Sequence, residues 1–187
     1  MAQYYLISQL PSLDGLSENL PLPITEERFS ELCQDALSEK ELSQFDKISL
    51  SPSLESEKSS SALIEAWNNA ERNLRLSLAK VRAEKLGKSY QLKENVPSEL
   101  LKIALEATDL ENPMEAENFL LGYRLRLIES MRPLDNFSID YVYYYSIKLK
   151  LISRVRQFDQ KIGQSAYKNI YDSILNGERL EAKDDSK

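Results

Sequence analysis

Residues 61–87 read S-A-L-I-E-A-W-N-N-A-E-R-N-L-R-L-S-L-A-K-V-R-A-E-K-L-G, and their periodicity decides the fold class. Leu63, Trp67, Ala70, Leu74, Leu78 and Val81 recur at spacings of four and three, which places them on one apolar helical face. Gly87 stands where a left-handed stop would end such a helix. The spacing predicts a helix from about Ser61 to Leu86, with Glu65, Asn68, Arg72, Arg75 and Arg82 on its opposite side.

The same pattern extends in both directions. Upstream, Tyr4 to Leu10 is a run short enough for one or two helical turns or for a strand. Pro21 and Pro23 force extended chain. Thr25 then caps a helix opening on Glu26 and Glu27, with Phe29, Leu32, Cys33, Ala36 and Leu37 at helical spacing. A second short helix is expected over Glu39 to Asp46. The serine-rich stretch 49–61, S-L-S-P-S-L-E-S-E-K-S-S-S, is expected to be a mobile loop that is either inserted or contacts a partner.

Downstream, a shorter helix follows Pro97 and Ser98, with Leu101, Ala104, Leu105 and Thr108 inward. Asn112-Pro113-Met114-Glu115 reads as N-cap, first-turn proline and capping-box glutamate. The helix it opens should reach Met131, with Ala116, Leu120, Tyr123 and Leu127 inward and Arg124, Arg126 and Arg132 toward its end. A second long helix is expected from about Ser138 to Ile162, on the stripe Tyr144, Ile147, Leu151, Val155, Phe158 and Ile162, with Gly163 as its stop. Tyr141, Tyr143, Tyr144 and Tyr145 cover most of its circumference, so some of these rings are expected at a loop contact or an interface. A last helix over Gln164 to Asn176 should bury Ala166, Ile170, Tyr171 and Ile174. The charged residues 177–187 should be a disordered tail.

The expected fold is therefore all-α: a bundle of about five to seven helices around two long central ones, forming one domain over residues 1–176. Its composition agrees. Of 187 residues, 42% are hydrophobic and 29% charged, with only five glycines and seven prolines, which is a globular balance. Cys33 is the sole cysteine, so no internal disulfide forms and a reducing compartment fits. The opening M-A-Q-Y-Y-L-I-S-Q-L-P lacks the pattern of a signal peptide. No apolar stretch approaches the roughly 20 residues that span a bilayer. Net charge is −6 overall, but residues 1–60 sum to −7 and residues 120–168 to +5. Such asymmetry suits docking to complementary partners, or is a scatter of solvated faces.

No catalytic constellation emerges. There is no histidine, the commonest general base and metal ligand. One cysteine cannot build a thiolate zinc site. Neither G-x-x-x-x-G-K-[ST] nor G-x-G-x-x-G occurs. The carboxylate pairs Glu26/Glu27 and Asp184/Asp185 sit in an expected helix start and in the tail, without a pocket to tune them. The expectation is a protein without enzymatic activity or cofactor. Candidate partner-binding residues are basic. Lys150, Arg154 and Lys161 share a helical face with Tyr143, and Arg72, Arg75 and Arg82 line the outer side of the first long helix. They offer a docking strip for an acidic partner, against the plainer reading of a solvated flank. The interleaving Y-V-Y-Y-Y-S-I-K-L-K admits nucleic acid, but the acidic overall charge argues against it.

The segments Y-Y-L-I-S-Q-L-P-S-L at 4–13, P-L-P-I-T-x-E-x-F-x-E-L-C at 21–33, W-x-x-A-E-R-N-L-R-x-x-L-A-x-x-R-A-x-x-L-G at 67–87 and N-P-x-E-A-E-x-F-L at 112–120 resemble a bacterial family of unknown function. Its members are encoded among the genes of the V/A-type rotary ATPase. E-R-N-L-R followed by R-A-x-x-L-G also resembles a helical pattern in the C, or d, subunit of these machines. That subunit is an all-helical funnel joining central stalk to membrane rotor ring. The resemblance implies a non-catalytic subunit held on the cytoplasmic face of the membrane through its complex, with central stalk and rotor ring as partners. An assembly factor or adaptor for that complex is the nearest alternative, and a helical nucleic-acid-binding protein a more distant one.

Overall fold

The computed structural model describes residues 2–15, 21–53, 59–90, 96–157, 168 and 171. Within them lie seven helices and no strand: α1 Ala2–Gln9, α2 Glu26–Ala36, α3 Glu39–Phe45, α4 Ala62–Lys85, α5 Ser98–Asp109, α6 Pro113–Ser130 and α7 Ile139–Gln157. The short N-terminal run is helix, and α4 and α7 are the two long elements expected. None of these helices is long and apolar enough to cross a membrane. The tail, the stop at Gly163, the α7 residues Phe158 and Ile162, and the centre of the serine-rich loop lie outside the described residues, and of the expected last helix only Lys168 and Tyr171 are described, both helical. Tyr171 is described, and it is 51% exposed rather than buried.

The helix ends follow from local chemistry. Thr25 accepts a hydrogen bond from the Arg28 amide at 3.2 Å, satisfying one of the free donors that open α2. Ser38 and Glu41 close a reciprocal capping box on α3. Ser61 Oγ accepts from the Ile64 amide and donates to Asp140 of α7 at 2.7 Å, so one side chain caps α4 and ties it to α7. Asn112 caps α6 through the Met114 amide. Glu115 accepts from the Asn112 side-chain amide. Gly87 takes φ +66°. Its amide bonds to Glu84 and that of Lys88 to Ala83, the pair of backward bonds that closes a helix behind a left-handed glycine.

α7 is the axis of the larger of two cores. Residues 142–149 are buried without interruption, including Tyr143, Tyr144 and Tyr145. Of the two expected placements, a loop contact or an interface, Tyr145 takes the first through the Pro11 carbonyl, and none of these three rings lies at the surface. α1, α2, α4 and α6 surround the helix, so every direction around it is interior, and each phenol finds an internal acceptor. Tyr143 donates to the Glu41 carbonyl, Tyr144 to Glu129 and Tyr145 to the Pro11 carbonyl. Phe29, Cys33, Phe45, Ile64 and Trp67 complete this core, and burying a side chain such as Phe29 contributes roughly 2–3 kcal/mol. The Trp67 indole donates to the Ser49 carbonyl at 3.2 Å, anchoring one side of the serine-rich loop.

The second core joins Leu74, Leu78 and Val81 of α4 to Leu100, Ala104 and Ala107 of α5 and Leu120 of α6. Here Ala104 is inward as predicted, but the rest of the expected face of α5 is corrected by one position. Leu100 and Ala107 are buried, while Leu105 is 48% exposed. Lys85 reaches Thr108 and Asp109 at the end of α5, so α4 and α5 run the same way, with the 100/104/107 stripe packed on Leu74, Leu78 and Val81. α4 and α6 each contribute to both cores, and their polar residues between the cores define the site.

Candidate functional site

The junction between the two cores is held by a buried ion pair. Glu71 of α4 and Arg124 of α6 exchange two hydrogen bonds, both 2.8 Å, with their side chains only 1% and 12% exposed. Burial works against the charge on Arg124. The hydrogen bonds and charge of Glu71 more than offset it, holding the guanidinium above its ordinary pKa. Sequence reading placed Arg124 near the end of α6, where it would complement the helix dipole. The residue instead sits one helix-width from α4, because a carboxylate there gives its fork a planar, bidentate partner.

Above this pair opens a cleft of about 380 Å³. α4 supplies Glu71, Arg75, Leu78, Ala79 and Arg82, and α6 supplies Glu117, Leu120 and Arg124. α7 adds Leu151 and Arg154, and the chain before α4 adds Leu50 and Ser51. Four guanidinium groups thus face two carboxylates. Glu71 is taken by Arg124. Glu117 accepts from Arg154 at 2.9 and 3.0 Å. Arg75 donates to the Pro52 carbonyl at 3.1 Å. Arg82 is exposed. A smaller depression of about 230 Å³ adjoins, sharing Leu50 and Arg154 and adding Lys150, which meets Glu26 at 3.3 Å.

The sequence-predicted basic residues divide accordingly. Arg75, Arg82 and Arg154, read on two different helices, converge on one cleft, and Lys150 flanks it. Lys161 lies outside the described residues. Tyr143 is corrected from docking residue to core. Burial pushes its phenol up to about 12, and its ring is enclosed with α7. Arg72 is likewise corrected. It is buried and donates to Asn69 at 2.8 Å, so the outer side of α4 is not wholly solvent-facing. Glu71, Glu117 and Arg124 were not anticipated as site residues. Their only signal in sequence was Glu71 beside the arginines of E-R-N-L-R, and Glu117 seven positions ahead of Arg124 on one helix.

Part of the charge asymmetry also closes internally. Lys148, nine-tenths buried on α7, bonds to Asp14, Glu129 and Tyr144, and Arg132 lies 3.6 Å from Asp14. The acidic N-terminal part and the basic C-terminal part therefore hold each other as well as facing outward.

Chemically the cleft offers fixed cations and hydrogen-bond donors. Arginine stays charged at any physiological pH and grips carboxylates and phosphates. Among the described residues no group of three or more His, Cys, Asp or Glu is placed to hold a metal ion.

Residues 88–178 match the model of a family described as protein of unknown function, DUF2764. The matched stretch takes in α5, α6 and α7 and leaves α1 to α4 outside. Comparison with curated proteins and with solved structures returned no match.

Proposed function

We propose that this chain is a non-catalytic, partner-binding part of a bacterial V/A-type rotary ATPase, acting like the C subunit as a connector between central stalk and membrane rotor. One observation carries the reading. The two internal segments in which the chain resembles the ATPase-associated family, 67–87 and 112–120, meet at a single place. Glu71, Arg75, Leu78, Ala79 and Arg82 of the first and Glu117 and Leu120 of the second all line the arginine cleft. They occupy the named positions of those motifs. Motif residues gathered at a charged groove support binding as the role of that groove.

The mechanics suit a connector. A buried bidentate ion pair bridging α4 and α6 favours a rigid body, because such a pair tolerates little sliding. A groove with more guanidinium than carboxylate steers acidic partners and fixes their register. The protein would then sit on the cytoplasmic face of the membrane through its complex, with no nucleic acid involved.

The test is co-purification from the native host. Reversing charge at Arg154 and Lys161 together should lower recovery with the ATPase while leaving the thermal unfolding temperature nearly unchanged. Undiminished recovery of the double variant counts against the reading.

A further inference from the structure

We infer that the cleft takes an acidic polypeptide segment of the partner, with two carboxylates about two helical turns apart and an apolar side chain between them. The inference rests on the cleft being the docking surface proposed above. Arg124 and Arg154 have carboxylate partners inside the molecule. Arg75 and Arg82 have none among the described residues. The Arg75 guanidinium has only the Pro52 carbonyl, and the side chain of Arg82, exposed at the other end, has no hydrogen bond or ion pair among the described residues. These two cations are what the groove leaves over for a ligand.

Their spacing selects the ligand. Arg75 and Arg82 stand seven positions apart on α4, which puts them on one face and roughly 10 Å apart along the axis. Ala79 lies between them and raises only a methyl group above the backbone. A small apolar part of the floor comes from half-buried Leu50 and the edges of Leu78 and Leu120. A single small anion is too compact for two guanidinium groups so placed, and it gains nothing from leucine. A polyphosphate or nucleic-acid backbone brings dense charge against Glu71 and Glu117, which line the same cleft. A peptide carrying separate carboxylates around a leucine-sized residue satisfies both rim and floor: each guanidinium gains a bidentate partner and the apolar side chain leaves water.

The experiment is a fluorescence-anisotropy titration of the full chain with an alanine-rich helical peptide bearing glutamates two turns apart and a leucine between them. A glutamine-substituted sister peptide and pyrophosphate are the other arms. The glutamate peptide should bind more tightly than its sister. The Arg75→Ala/Arg82→Ala variant should lose about tenfold in affinity at low salt. The charge-keeping Arg75→Lys/Arg82→Lys variant should lose less. Circular dichroism should show both variants folded, since both arginines reach the surface. Equal binding of the two peptides, or an unchanged affinity in the alanine variant, overturns the inference. So does pyrophosphate binding tighter than the glutamate peptide, which would make the cleft a small-anion site. The two proposals fail separately. Loss of peptide binding with intact ATPase co-purification removes the acidic segment and keeps the connector. Peptide binding without co-purification does the reverse.

Discussion

Removing either partner of the Glu71–Arg124 pair should unfold this protein more readily than any surface change of similar size. The carboxylate is 1% exposed and the guanidinium 12%, and two bonds of 2.8 Å join them. Glu71→Leu strands the Arg124 cation in a cleft it shares with Arg75, Arg82 and Arg154. Arg124→Leu strands a carboxylate in the interior. Breaking a buried pair from one side costs about 3–5 kcal/mol, whereas replacing both members with apolar residues is often nearly neutral. At 2–4 °C per kcal/mol for a chain of this size, each single variant should lose about 10 °C in Tm. The double variant Glu71→Leu/Arg124→Leu should lie close to wild type. Urea unfolding followed by circular dichroism gives the three free energies, and the double-mutant cycle gives the coupling, expected at about 3 kcal/mol or more. Single variants that each cost less than about 1 kcal/mol would refute the reasoning. So would a double variant destabilised by the sum of the two, because either result means the pair is solvated or independent.

The Lys148 network should make stability acid-sensitive. The hydrogen bond from Lys148 holds Asp14 below its ordinary value. Burial pushes Glu129 up, but hydrogen bonds from Lys148 and Tyr144 outweigh it and leave it lowered. A lowered carboxylate contributes stability above its unfolded pKa and loses it as pH falls through the folded value, so the midpoint should drop below about pH 4. Lys148→Met should flatten that dependence and speed amide exchange in α1; an unchanged acid profile in this variant speaks against the network. The Cys33 thiol, fully buried and pushed up to about 12 by that burial, should resist a thiol reagent in the native protein and react once unfolded. Rapid native labelling would contradict its packing. Gly87→Ala, at φ +66° with open space around the new methyl, should cost about 1 kcal/mol through backbone strain alone. A neutral result in thermal unfolding would mean the cap can relax.

Sequence periodicity was most legible where a helix has one buried face and a chemical stop. The α4 stripe, the Thr25 and Asn112 caps and the left-handed Gly87 each depend on residues within a few positions of one another. α7 was harder. Its stripe was legible at Tyr144, Ile147 and Leu151, but residues 142–149 are buried on every side, and the tyrosines looked too numerous for one core because their internal acceptors, Glu41, Glu129 and Pro11, lie elsewhere in the chain. α5 slipped by one residue because Leu100, Leu101 and Leu105 offer two registers, and only packing on α4 chooses between them. The site was half visible. Arg75, Arg82 and Arg154 were recognised as basic residues with something to bind, but their meeting depends on which faces α4 and α7 present. Glu71 and Arg124 are 53 positions apart, and a charge that pairs at that distance reads locally as one more exposed side chain.

The most direct test of the connector account is to purify the intact rotary ATPase from the native host through a tag on another subunit, then quantify this chain against the central stalk by mass spectrometry. The account predicts recovery at a fixed ratio that survives gel filtration. Absence from the intact enzyme, or presence only in partly assembled complexes, would contradict it, and the latter pattern would identify an assembly factor instead.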